Sequence, residues 1–188
     1  MNVKPNIFNM AGVIPPVNDI DGSSLNRSPY IISISQLIDL FSFTSERVTI
    51  LNGLLEYRAE LYRVGIVSGY QWLDGSFTTD IEILEKRAPN DIDVVTFFYL
   101  PDGETQQSFL PKTGKLLLTK YTKANFKVDA YPVILGQNLT PELISRITYW
   151  YSMWSHRKGD NIWKGFFQVE LSPLEDAAAL KILNSMEG

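Results

Sequence analysis

The chain has no cysteine and a single histidine, His156, among its 188 residues. The first absence removes disulfides, thiolate zinc sites and cysteine nucleophiles together, and the second removes multi-histidine metal sites. Any metal must therefore be held mainly by oxygen, which suits magnesium, calcium or manganese. Positive charge is not in excess either: Lys plus Arg number 17 against 21 Asp plus Glu, a formal net charge of −4. A general affinity for nucleic-acid backbone is not expected from that balance, although a local basic groove stays open. The opening MNVKPNIFNMAGVIPPVNDIDG lacks a long apolar run and is broken by prolines, so it reads as neither secretory leader nor membrane span. Together these features predict a protein of the reducing cytoplasm with no membrane partner.

What is present is an ordinary globular balance, 45% apolar and 20% charged, enough for one domain with a sizeable core. Residues 1–30, rich in Pro, Asn, Gly and Ser, read as an extended arm ahead of a domain over 31–188. YIISISQLIDLF begins like a strand and ends like a short helix. In SERVTILNGLLEYRAELYRVG, apolar residues recur at near-helical spacing, with Ser45 as the expected N-cap and Gly65 as the stop. SGYQWLDGSF reads as a strand ending in a glycine turn, and the continuous apolar run of DIDVVTFFYL as a strand buried on both faces. Beyond Pro101 two readings stay open, a hairpin turned at Pro101-Asp102-Gly103 or a helix leading towards KANFKVDAYPV. Phe126–Val133 alternates like a strand, with Lys127, Asp129 and Tyr131 on one face. Thr140-Pro141 starts a helix with an aromatic stripe, NIWKGFFQVEL is a further strand, and Ser172-Pro173-Leu174-Glu175 caps a final helix. This order predicts an α/β (α+β) fold, a mixed sheet flanked by helices in a single domain. Its core spans about 45–135, and residues 140–186 add a helix–strand–helix elaboration.

Asp91 and Asp93 are two apart on a predicted strand, so their side chains leave the same face. Neighbouring carboxylates repel unless a divalent cation, a paired Lys or Arg, or a shared proton stands between them. The plain alternative is a loop end followed by a solvated edge residue. Gly75-Ser76 ends the preceding strand, where backbone amides and a hydroxyl can receive a phosphate, though such a turn alone is often only a turn. Asp129 lies between apolar neighbours, costly unless paired or metal-bound, and Lys127 is the ordinary partner expected for it.

Taken together, Gly75-Ser76, Asp91-Ile92-Asp93 and the later Asp129 resemble the signature of the polymerase-beta-like nucleotidyltransferase superfamily, and the small size is closest to its minimal, standalone members. The similar part runs from about Ser45 to Val133, with a slightly longer interval than usual between the glycine turn and the aspartates. The resemblance implies a nucleotidyltransferase-like fold in which Gly75 and Ser76 bind a nucleotide triphosphate. Asp91, Asp93 and Asp129 would hold Mg2+ or Mn2+, with Asp129 also the candidate base. The implied activity is transfer of a nucleoside monophosphate to a hydroxyl of a protein, an RNA end or a small molecule, and the implied setting a toxin–antitoxin or phage-defence pair with a partner protein. Candidates for the phosphates are Lys112, Lys115, Lys120, Lys123, Arg157, Lys158 and Lys164, with Thr78 and Thr79 beside the turn. His156 reads as a helix-end cation, and Trp150, Tyr151, Trp154, Trp163 and Phe166 as packing. A different class of function, a catalytically inactive nucleotidyltransferase-like binding or regulatory protein, remains the alternative, and an unrelated α/β protein with a structural cation is the third.

Overall fold

The sheet at the centre of this protein buries apolar side chains on both of its faces, and the helices are distributed accordingly. The computed structural model describes residues 4–136 and 138–185. A mixed five-stranded sheet runs in the order β1-β5-β2-β3-β4. Its strands are β1 (Tyr30–Ile31), β2 (Gly69–Asp74), β3 (Ile92–Phe98), β4 (Val128–Ile134) and β5 (Phe167–Glu170). β2 is antiparallel to both β3 and β5, whereas β3–β4 and β1–β5 are parallel pairs.

Ile92, Val94 and Phe98 of β3 join the larger core, under α1 (Ile34–Phe41), α2 (Ser45–Arg63) and α7 (Pro173–Ser185). Val95 and Phe97 point the other way, into a smaller cluster with Trp72, Val133, Trp154 and Phe166. The aromatic stripe of α6 (Pro141–Trp154) covers that second face through Leu143, Ile147, Trp150 and Trp154. Burial of each such side chain contributes about 1.5–3 kcal/mol, so the unbroken apolar run of β3 follows from two-sided packing. The same face carries carboxylates, in a cavity that the last residues of α6 help to line.

Local chemistry explains most element ends. Thr140 caps α6 by accepting from the Leu143 amide, and Pro141 takes the first turn. Ser172 Oγ accepts from Glu175 N at the start of α7. For α2 the cap is Thr44, whose side chain accepts from Arg47 N, and Ser45 is the first helical residue; either hydroxyl could have served. No hairpin forms at Pro101–Gly103. The parallel pairing of β3 with β4 demands a crossover, supplied by α4 (Gln106–Phe109), a 3-10 turn over Leu110–Thr113, and α5 (Thr119–Phe126). Phe126 therefore ends a helix, and the strand expected from that residue begins at Val128. Lys127 stands between them in the left-handed region at φ 56°, so the strand alternation does not reach it. In NIWKGFFQVEL only Phe167–Glu170 is strand, joined by an isolated bridge between His156 and Trp163.

Helix α5 is seated by Gly53, in the middle of α2: a Cβ there would lie 2.0 Å from the Phe126 carbonyl oxygen. Residues 4–29 run over the body with only isolated bridges, such as Val13 to Thr79, and Val13 and Ile14 are buried. Among the described residues, no helix is long and apolar enough to cross a membrane.

Candidate active site

Alternation along β2 puts Tyr70, Trp72 and Asp74 on the α6 side of the sheet, and the chain then turns sharply at Gly75. Gly75 adopts φ 89° and ψ −161°, a conformation open essentially to glycine alone. It is also a close approach, since a Cβ at this position would meet Asp93 Oδ2 at 2.4 Å. The turn is held from behind by Arg47 of α2. Its guanidinium donates to the carbonyls of Phe77 (2.6 Å) and Thr79 (2.9 Å) and to both oxygens of Glu82 on the short helix α3 (Ile81–Leu84). The side of the turn facing the cavity carries Ser76.

Strand register assembles the carboxylates. Asp74 is opposite Asp93 across β2–β3, and Asp93 is opposite Asp129 across β3–β4. Asp91, one residue ahead of β3, joins them through Lys123 on α5, which pairs with Asp91 Oδ2 at 2.9 Å and Asp129 Oδ2 at 3.0 Å. Thus the partner of Asp129 is Lys123, one helical turn earlier in the chain than the expected Lys127. The far oxygen, Asp129 Oδ1, is buried without a hydrogen-bond partner. Asp74 is paired with Lys164, both almost fully buried, and accepts from Thr78 Oγ1 at 2.9 Å.

Four carboxylates against two ammonium groups leave a surplus of negative charge, and the middle carboxyl, Asp93, is the one whose ionisation it opposes. Burial, followed by the charges of Asp74, Asp129 and Asp91, pushes the Asp93 carboxyl up to about 7. Burial also pushes Asp74 up, opposed by the Lys164 ammonium. Lys123 is raised by its bonds to Asp91 and then Asp129. Tyr131, on the same face as Asp129, is pushed up to about 12 by burial and by that carboxylate. Among the described residues, no three acidic or imidazole side chains are drawn into a ready-made metal-ligand group.

These groups open into one cavity of about 1040 Å³, lined by Gly75, Ser76, Asp91, Asp93, Lys123 and Asp129 and also by His156, Arg157 and Lys158. The five sequence-predicted residues therefore share one space. Of the basic candidates, Lys123, Arg157, Lys158 and Lys164 reach it, whereas Lys112 pairs with Glu104 elsewhere. Thr78 acts on Asp74, and Thr79 donates to Ser76 O at 2.9 Å. Trp154 and Phe166 are buried as packing residues, but Trp163 is 49% exposed. Asp74 was the residue that sequence reasoning missed; its place two after Trp72 in the alternation was the available signal.

No curated protein and no solved structure matches the chain. Residues 6–170, which hold every strand and all the carboxylates just described, match the family of unknown function DUF6932, and the chain belongs to that family.

Proposed function

We propose that this protein is a metal-dependent nucleotidyltransferase that moves a nucleoside monophosphate from a nucleotide triphosphate to a hydroxyl, on a nucleotidyltransferase-like fold. One observation carries the reading: Asp93 and Asp129 stand in register on parallel strands, Asp93 against the Gly75 turn, with Asp91 and Ser76 in the same cavity. The residues suit a hard cation by two further signs. All the candidate ligands are carboxylate oxygens, and Asp129 Oδ1 is buried with nothing bound to it. Asp91, Asp93 and Asp129 would hold Mg2+ or Mn2+, which when bound offsets phosphate charge and makes the acceptor hydroxyl more acidic.

The chain's own groups do the rest. The Gly75-Ser76 turn, kept rigid by Arg47, receives the triphosphate, and Lys158, with Arg157 paired to Asp160 beside it, supplies positive charge in the same cavity. The acceptor oxygen bonds to the α-phosphorus as the bond to the pyrophosphate oxygen breaks, and the hydroxyl proton passes to Asp129. The acceptor is a hydroxyl of a protein partner, an RNA end or a small molecule.

A second reading, a nucleotidyltransferase-like binding or regulatory protein without catalysis, is favoured by Lys123, whose ammonium already answers two of the carboxylates. Incubation with Mg2+ or Mn2+ and α-labelled nucleotide triphosphates separates the two. Transfer of label or release of pyrophosphate, lost in Asp91→Ala and Asp93→Ala, is the expected result. Nucleotide binding with no turnover under any of these conditions would instead establish the regulatory reading.

A further inference from the structure

The two lysines of the acid cluster are held very differently. Lys164 is walled in, 4% exposed, and fixed on Asp74 beside Thr78. Its backbone amide is tied to Ser155 O at 2.8 Å, so the ammonium and its strand approach are both set by the fold. Lys123 is 50% exposed, reaches in from the last turn of α5, and touches the cluster only through its tip. A long flexible stem of this kind leaves without disturbing any packed layer.

What Lys123 does at the cluster is also incomplete. It takes one oxygen each of Asp91 and Asp129, leaving Asp129 Oδ1 unbonded, and among the described residues no cation is within ion-pair distance of Asp93. A single positive charge thus sits where two are needed. We propose that Lys123 is a built-in occupant of the cation position: its ammonium holds Asp91 and Asp129 together until a divalent cation displaces it. The cation affinity of the site is then set by competition with this side chain. The inference rests on the metal-dependent reading above and deepens it by naming a control on that same site.

Competition has a distinctive sign. A residue that merely supports the site weakens cation binding when removed, whereas removal of a competitor strengthens it. Titration of MnCl2 alone into the full chain, with free Mn2+ read by electron paramagnetic resonance, should show Lys123→Gln binding about tenfold tighter than wild type, the scale set by two part-exposed ion pairs. A second arm needs no variant. In the wild-type protein, acylation of the Lys123 amine by a water-soluble reagent, read by peptide mass spectrometry against the exposed Lys120 and Lys127, should rise several-fold on adding MnCl2.

Equal or weaker Mn2+ binding by Lys123→Gln, with wild type still binding, overturns the inference and leaves the metal-dependent reading standing. Mn2+ binding without any rise in Lys123 acylation overturns it as well, whether or not the variant folds. Mn2+ binding to neither protein removes the metal-dependent reading and the inference together.

Discussion

The sheet carries a charged cluster on each face, and the two are finished to different standards. On the helix-covered face, Arg58 donates to both oxygens of Asp176, to Gln71 Oε1 and to Glu170 O, while Tyr62 donates to Asp176 Oδ2 at 2.6 Å. That network is buried and closed. On the α6 face, Asp74, Asp91, Asp93 and Asp129 share two lysines, the buried Asp129 Oδ1 has no partner, and burial with the neighbouring carboxylates pushes Asp93 up to about 7. The fold thus shows that it can neutralise a buried charge completely, and on the other face of the same sheet it does not. The first cluster has the form of a structural joint, and the second of a site that expects something from outside.

The comparison can be broken most forcefully at the closed cluster. Arg58→Met leaves Asp176 buried without its partner and should cost about 3–5 kcal/mol in urea unfolding. Arg58→Met with Asp176→Leu should recover most of that loss. A cost no greater than that of an exposed pair would erase the contrast. Next in size is Gly75→Ala, which forces a Cβ towards Asp93 Oδ2 in a conformation reserved for glycine; it should destabilise by about 1–3 kcal/mol and abolish nucleotide transfer in the labelled-triphosphate assay.

The open cluster should respond with the opposite sign. Asp93→Asn removes the most crowded charge, and at about pH 8 it should stabilise the metal-free protein by about 1–2 kcal/mol, less than the displaced pKa implies because solvent screens part of it. Denaturation in EDTA checks this, and destabilisation would show that the carboxylates are not in conflict. The smallest effect is the pH dependence of the wild-type protein. Asp93 keeps its proton up to about 7 when folded but loses it near the ordinary value of 3.8 when unfolded. Its contribution is therefore complete below the unfolded value and is lost as pH rises through the folded one. The melting temperature in EDTA should fall by a few degrees between about pH 5 and about pH 8, and added Mn2+ should restore more at the upper end.

The parts of this architecture that could be read in advance are those with a strong local cause. The capped starts of α6 and α7, the long α2 and the doubly buried β3 each follow from spacing or from a Ser/Thr-Pro pair. The crossover could be read only as one of two alternatives, of which the helix formed, because α4 has four residues and α5 eight, too few turns to establish a period. At the site, Gly75, Ser76, Asp91, Asp93 and Asp129 carry their residue types openly. Lys123 and Asp74 did not stand out as members of the cluster: one arrives through a helix whose docking depends on Gly53, the other through strand pairing. Both are long-range consequences of the fold. Lys127 misled for a definite reason, its left-handed backbone, which breaks the alternation one residue before the strand begins.

The parallel pairing of β3 with β4 also has a consequence for the order of events during synthesis. Antiparallel β2 and β3 can meet soon after both leave the ribosome, bringing Asp74 and Asp93 together while Asp129 and both lysines are still to come. Long-range parallel pairing is slow to form, so the growing chain passes through an interval in which its negative charges gather without their counter-ions. Asp74 gains its ammonium partner only once the chain has been made as far as Lys164, just ahead of β5.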